Sequence, residues 1–530
     1  MTSVDSTSLI INNVTQYFFD NVTIEQVQDI TKTIHSPQKE PGPIIKKDRP
    51  WERVPYLTVN GWSILYDKTK GEFKCWYEDF PVDPQKVERE KVLYCVSSTF
   101  TGYACSSDGL NWEKPELDYL EVDGHKTNIV LGNKPPFHTL ESITVFEDTL
   151  EPDPGKRFKM LLTRYINAKD RTKKELAETL SVKPGFDTSN DEVRIEMHCS
   201  EDGIKWTPSG ELPRYGQHGN GLGDAYTFFI DEDTGIYRFL TRAAGMLSVH
   251  YDERRPKTNS FFPPTFPHDI ARMNKRRVFQ SESKDLVHWS CPKCVLTPDV
   301  QEDNLDDSYY GMVQFKMGEI YIGMLNVLHE VSNTINVRLV YSRDGWNWHH
   351  LNQRQPWLTT SADSWDKYMV NISSPPIPVG DELFVFHGGA SCHHDWWITG
   401  LYENLPVPEA HDINMTRFGI GLAKMRLDGF VSIDATEMRE GVMITRALIT
   451  SGNKLELNAA CGQDGYVEVE VTDADEKILK GFSRADCDTF KGDKVKTIIS
   501  WKGKTEIPHG AYLRLRFFMK NASLYSFKFT

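Results

Sequence analysis

Five acidic residues recur at one kind of place along the chain: Glu52 in PWERVPYL, Glu141 in HTLESITVF, Asp224 in GLGDAYTFF, Asp307 in LDDSYYGMV and Asp366 in SWDKYMVNI. Each stands a few residues ahead of a short apolar run. If those runs are strands that share one entrance, the carboxyls converge although they are far apart in sequence. Like charges in a partly desolvated mouth split their pKa values, so that one group stays protonated while another is ionised. Cleavage of a glycosidic bond needs that division: a proton donor for the leaving oxygen, and an ionised group that attacks or activates water. The same ring can also move protons without a water attack. Any one of these residues, read alone, is equally an acid that opens a strand with a turn or an ion pair.

Other side chains suit substrate contact. Arg164 in LLTRY and Arg242 in FLTRA alternate with apolar neighbours and can pair with the acids or line a strand edge. The stretch FHGGASCHHDWW gathers His393, His394, Asp395 and Trp396, where indole rings can stack on a sugar and an imidazole can bind a hydroxyl or move a proton. Adjacent histidines on extended backbone point apart, which argues against a metal. The Gly-rich YGQHGNGLGDAY, with His218, lacks the strand-to-helix context of a phosphate loop and reads as a loop leading to Asp224. CPKC at 291–294 has no second Cys or His pair nearby. No cofactor and no metal are expected.

The elements that must position these residues are strands. VPYLTVNGWSILYD, KVLYCVSSTF, RFKMLLTRY, TGIYRFLTRA and ELFVFHGG are short, aromatic or β-branched, and bounded by Gly, Asp, Asn and Pro. Only VTIEQVQDITKTIH and TKKELAETLSV have helical character. A turn skeleton, Ser-x-Asp-(Gly or Leu)-x-x-Trp, appears four times, from Ser106, Ser200, Ser283 and Ser342. The copies lie roughly 60 to 95 residues apart, and each closes a run of candidate strands, the mark of radial repetition. Its Ser and Asp oxygens cap backbone N–H groups, so these aspartates are turn formers. The units fall near 54–115, 139–209, 224–292, 308–351 and 366–430, with axis-facing strands starting near Val54, Ser142, Ala225, Ser308 and Met369. The fold class expected is all-β: a five-bladed β-propeller over 51–435, an N-terminal arm and linker over 1–50 that lends a closing strand, and a β-sandwich over 440–530.

Bulk composition narrows the partners. The 530 residues are 39% hydrophobic and 12% aromatic, enough for a large core, and the formal charge is −14. An acidic surface disfavours nucleic acid and anionic membranes, so a small carbohydrate or sugar-like ligand is the expected partner, with homo-oligomerisation left open. Nine scattered cysteines, no signal-peptide pattern and no run of membrane-spanning length point to a cytoplasmic protein.

Five units with turns such as SKDLVHW, followed by LNAACGQDGYVEVEVTD, LKGFSRADCDTFKGD and AYLRLRFFMKNASLYSFKF, resemble the glycoside hydrolase clan of invertases, levanases and arabinanases. That resemblance implies an axial funnel with acidic catalysts from the first three blades. By loose alignment Glu141 falls near the clan's second-blade acid and Asp224 near its third-blade proton donor, with Glu52 or Asp307 as the alternative partner. The chain departs from the clan at blade one, where TVNG at 58–61 carries no carboxylate. The reading is a glycoside hydrolase using carboxylate acid/base catalysis. The alternatives are a lyase, isomerase or cyclase in the same funnel, and a carbohydrate-binding propeller without catalysis.

Overall fold

A computed structural model describes residues 8–80, 99–132, 139–166, 192–212, 225–243, 276–299, 301–394, 396–399, 406–508 and 510–530. The four repeated stretches are one and the same turn. In the first, Ser106 Oγ accepts the Gly109 N–H at 2.9 Å, and Asp108 Oδ1 accepts those of Leu110 and Asn111, both at 2.8 Å. Asp202, Asp285 and Asp344 repeat the arrangement. The residue after the aspartate must take a positive φ: Gly109, Gly203 and Gly345 do so freely, while Leu286 is held there at 62°. The Trp then folds back, its indole donating to the carbonyl of that residue in three copies, at 3.1 Å from Trp112, Trp206 and Trp289. In the fourth, the indole N–H of Trp348 has no partner among the described residues.

The strands between turns form antiparallel sheets in chain order. The second sheet is Thr139–Glu147, Phe158–Ile166, Glu192–Ser200 and Thr207–Glu211; the third is Tyr226–Asp231, Ile236–Ala243, Arg277–Ser283 and Lys293–Leu296. In the first sheet, Val54–Tyr56 and Trp62–Asp67 both pair with Glu72–Phe80, followed by Phe100–Ser106 and Ile129–Leu131. The fourth group, Asp307–Met317, Ile320–His329, Thr334–Ser342 and His349–His350, is joined to the fifth by a parallel pairing of Ile335 with Met369. The fifth runs through Met369–Asn371, Glu382–Ala390 and Phe418–Arg426.

Apolar side chains fill the space between consecutive sheets. Trp76 and Tyr103 of the first meet Val145 and Met160 of the second; Leu161 and Met197 meet Phe228 and Phe239 of the third. Leu240 and Val278 meet Met312 and Val327 of the fourth, and Trp62 and Phe73 of the first meet Phe384 and Phe386 of the fifth. Each sheet is thus covered on both faces, and the cycle of contacts closes. The first strands of these five groups begin at Val54, Thr139, Tyr226, Asp307 and Met369, within three residues of the starts expected for the inner strands. In the first sheet Ser106 pairs with Phe73 while Phe100 pairs with Asp79, so the turn lies about 20 Å along the strand from the inner-strand entrance.

The N-terminal segment differs from its expectation. Ile24–Gln28 and Ile30–Ile34 are strands, not helical, pairing with Gly441–Thr445 and Val431–Ala435. β-Branched Ile, Val and Thr tolerate both states, and partners some 400 residues away decide between them. Gln38–Lys39 and Ile45–Lys46 add to the outer edge of Phe418–Arg426. The C-terminal region is built on Leu455–Asp473 and Leu513–Phe529, long strands paired along most of their length with shifts at Asn458/Ala459 and Cys461/Tyr466. The chain is all-β: among the described residues the only α-helix is Trp396–Thr399. No helix among them is long and apolar enough to cross a membrane. TKKELAETLSV, at 172–182, lies outside the described residues.

Candidate functional site

The inner strands are irregular at their entrances, and the irregularities carry the site. In the second sheet the register shifts between Glu141 and Thr144, and Ser142 takes a φ of 56°. Such a bulge bends the strand and re-aims the residues beside it. It is tied to the third sheet: the Tyr226 hydroxyl donates to the Ser142 carbonyl, Thr163 Oγ1 lies 3.4 Å from that hydroxyl, and Thr144 Oγ1 donates to the Tyr226 carbonyl at 2.9 Å. Thr163 is the register partner of Glu141, and Tyr226 stands two residues after Asp224. The backbone at Glu141 and the start of the strand that Asp224 precedes are therefore neighbours. The Glu141 and Arg164 side chains, and Asp224 and His218 altogether, lie outside the described residues.

A second bulge, between Tyr309 and Gly311, sets Tyr310 at the same end of the fourth inner strand. Three cation-capable side chains meet its buried ring. Arg242, 7% exposed, holds its guanidinium carbon 4.0 Å from the ring centroid; Arg276 lies at 4.8 Å; the His394 ring meets it edge-on at 4.7 Å and 88°. Arg242 is fixed by its N–H to the Ala225 carbonyl at 3.0 Å, and His394 by its own to Asn333 at 3.0 Å. Arg242 and His394, far apart in sequence, come together here.

Asp307 opens the same strand but is tied into a different network. Its carboxylate is fully buried, bound by Arg338 Nη2 at 2.6 Å and His329 Nδ1 at 2.8 Å. Burial alone would raise its pKa, but the His329 hydrogen bond and the Arg338 charge outweigh it and hold the group at about 2. Asn336 Nδ2 contacts His329 Nε2 at 2.7 Å, which makes Nε2 the acceptor and Nδ1–H the donor to Asp307. Asp306, Asp307 and His329 bring ligand-type atoms within 4.8 Å of one another, yet both His329 nitrogens are already committed. Asp307 is an anchor, ionised near neutral pH, in this geometry.

Glu52 accepts from the Tyr77 hydroxyl at 2.6 Å, Lys114 Nζ at 2.7 Å and the N–H groups of Asp48 and Arg49. Beside it, Asp79 is pushed up to about 7 by burial, against the Arg53 N–H and with help from the Glu52 charge. Asp366 is engaged by Lys39 from the N-terminal segment at 2.5 Å. Among the described residues Glu52, Asp307 and Asp366 share no hydrogen-bond or ion-pair partner. His393 turns away from His394: its Nδ1 and backbone N–H both bind Glu409, and its ring stacks on Tyr368 at 3.8 Å and Trp396 at 4.1 Å. Glu409, in PVPEAHD, carries no spacing signal that ties it to His393. Glu78 also escaped the sequence reading. It is 1% exposed and, by strand alternation, shares the face of Trp76 that packs on the second sheet. Gly311, an isolated glycine in a strand pattern, was the readable sign of the second bulge.

No known protein-family profile matches the chain, and no curated protein matches it. Among solved structures it is similar, at low identity, to propeller-type glycoside hydrolases and related enzymes. A thermostable family-43 glycoside hydrolase shares 13% identity over 75% of this chain and 96% of its own, with a TM-score of 0.43. An N-acetylgalactosamine deacetylase from F. plautii shares 13% over 76% and 97%, at 0.44, and a Bombyx mori family-32 β-fructofuranosidase shares 11% over 94% of each, at 0.37.

Proposed function

We propose that the chain is a carbohydrate-active enzyme of the glycoside hydrolase type, acting on a small or oligomeric saccharide at the inner-strand entrances. The architecture proposed with it is a five-bladed propeller over 51–435 closed by a C-terminal β-sandwich, in a cytoplasmic protein. One observation carries the assignment: the Tyr226 bridge to Ser142, which couples the bulge at Glu141 to the strand that Asp224 precedes. Asp307, held ionised by Arg338, is a poor proton donor, and Glu52 is committed to Lys114, which leaves Asp224 as the acid and Glu141 as its ionised partner. Asp224→Asn keeps the shape and removes the proton. With aryl glycosides, turnover of a poor leaving group should fall by about 10²–10⁴, and a good leaving group should lose much less. Equal losses on both, or intact turnover, would remove Asp224 as the acid.

The His393–Glu409 pair favours a second reading, since an imidazole aligned by a carboxylate suits proton transfer without hydrolysis. Product analysis in heavy-oxygen water separates the two. Label at the cleaved carbon or oxygen supports hydrolysis, and an unlabelled unsaturated or rearranged sugar supports the alternative.

A further inference from the structure

We infer that the chain holds a second sugar-binding site, a cavity for one neutral monosaccharide ring against the C-terminal strands, lined by Asp428, Glu456, Lys496 and Lys528. It goes beyond the reading above and stands apart from the inner-strand entrances. Phe418 pairs with Ala390 at the entrance end of Phe418–Arg426, and Asp428 follows the other end, so about 27 Å of strand lies between them. The fifth group closes there with RLDG at 426–429, a degenerate copy of the repeated turn. In the four full copies the aspartate caps its own turn. Asp428 does otherwise. It takes a positive φ itself, at 61°, and its oxygens accept from the hydroxyls of Tyr17 at 3.1 Å and Ser526 at 3.3 Å. The carboxyl is thereby drawn out of the turn and into the wall of a cavity of about 240 Å³. Burial pushes its pKa up, against the hydrogen bonds from Tyr17 and Ser526 and the charge of Lys496.

The rest of the wall comes from the face of the long strands. Glu456 is the register partner of Lys528, and Lys496, which is exposed, comes from the neighbouring Asp493–Ile498. Opposite charges set across a strand pair attract one another. Even so, among the described residues the side chains of Glu456, Lys496 and Lys528 make no hydrogen bond or ion pair. Their donors and acceptor are left for a guest. A wall with two carboxylates and two ammonium groups suits an uncharged guest that both donates and accepts, because a sugar hydroxyl donates to a carboxylate and accepts from an ammonium. An anion would meet both carboxylates, and a cation both ammonium groups. The volume lies just under the roughly 300–1,000 Å³ of pockets for drug-sized ligands, which fits one ring better than a chain of them.

The test is calorimetric titration of the full chain with D-glucose, D-galactose, D-mannose, D-xylose and L-arabinose, and with inorganic phosphate, D-glucuronate and D-glucosamine as charged probes. At least one neutral sugar should bind saturably, and more tightly than any charged probe. Lys496→Ala and Glu456→Gln should each weaken that binding about tenfold with an unchanged melting temperature, the effect of removing one hydrogen bond to a charged group. Lys496 cannot touch a sugar at the inner-strand entrances, so a loss in its variant reports this cavity alone. Should Glu456→Gln fold poorly, Lys528→Met keeps the packing of the stem, removes the charge and should give the same loss. Failure of all five sugars to bind saturably overturns the proposal, as does binding that is unchanged in Lys496→Ala and Lys528→Met. A charged probe held as tightly as the best sugar also overturns it, because the cavity would then be an ion site. Glycoside turnover plays no part in these readouts, so the hydrolase reading stands or falls separately.

Discussion

Asp307 illustrates how far a residue's role is set by partners the local sequence does not show. An acid opening a strand in LDDSYYGMV reads as a catalyst or as a structural group with equal ease. The choice falls to Arg338, thirty-one residues later, whose guanidinium meets the carboxylate at 2.6 Å. A group so paired and fully buried serves as an anchor, and removing its charge leaves Arg338 with Asp303 as its remaining carboxylate partner. Asp307→Asn should therefore destabilise the protein by about 3–5 kcal/mol, the usual effect of breaking a buried ion pair. The pH dependence has a definite sign. The folded carboxyl sits at about 2, below its ordinary value of 3.8, so the folded state binds fewer protons than the unfolded state between those values. The stabilisation is complete above roughly pH 4 and is lost as pH falls toward 2, a slope that Asp307→Asn should lack. Urea midpoints of both proteins at pH 3 and pH 7 measure this. A variant with parental stability but no turnover would return Asp307 to the catalysts. Glu409 and Glu78 were illegible for the same reason, since burial and partnership are properties of the folded neighbourhood.

At the scale of elements, legibility follows the range of the forces. The Ser-x-Asp turns could be read because every bond that makes them spans two or three residues. The strands at 24–34 could not, because their pairing partners lie near residues 431–445. Strand starts were legible to within a few residues; of the bulges that aim the site, Gly311 signalled the one at Tyr309–Gly311, while the one at Glu141–Ser142 left no sign. A bulge follows from register against a neighbour, and alternation in one strand does not encode it. The turns also yield a separable prediction. Asp344 Oδ1 caps the N–H groups of Trp346 and Asn347, and those hydrogen bonds hold its carboxyl well below the usual range against the opposing effect of burial. Asp344→Ala should cost about 1–2 kcal/mol, because the freed groups are exposed and recover water. Asp202→Ala, in a different sheet, should add to it without coupling. Ligand affinity should not move in either variant. Loss of binding with unchanged urea midpoints would mean that these turns reach the site.

The fourth and fifth groups, the C-terminal strands and the start of the chain share one core that ignores the boundaries suggested by composition. Val313, Met324 and Val337 of the fourth group, Val370 and Val385 of the fifth, and Leu457, Val469, Phe517 and Phe527 of the C-terminal strands belong to a single buried cluster. Ile11, Tyr17, Phe18 and Phe19 from the beginning of the chain are in it as well. The texture change near Ile444 suggested a separate C-terminal unit, but it could not reveal that residues 9–34 pair with the strands around it. Those strands cover the edges of Val431–Ala435 and Gly441–Thr445, and Phe18 is 1% exposed against Phe527. Truncation of a buried aromatic typically costs about 3–5 kcal/mol, and a whole domain is stable by only about 5–15 kcal/mol. Loss of several such side chains together with two edge strands therefore exceeds what the fold can absorb. A chain of residues 36–530 should expose apolar surface and unpaired strand edges, bind a hydrophobic dye and run as aggregates in size-exclusion chromatography. Removal of residues 440–530 should do the same, because it uncovers the other side of the same cluster. If either truncated chain were a soluble monomer with the parental melting temperature, the two ends would be an appendage to the sheets, and the single core inferred from their packing would be wrong.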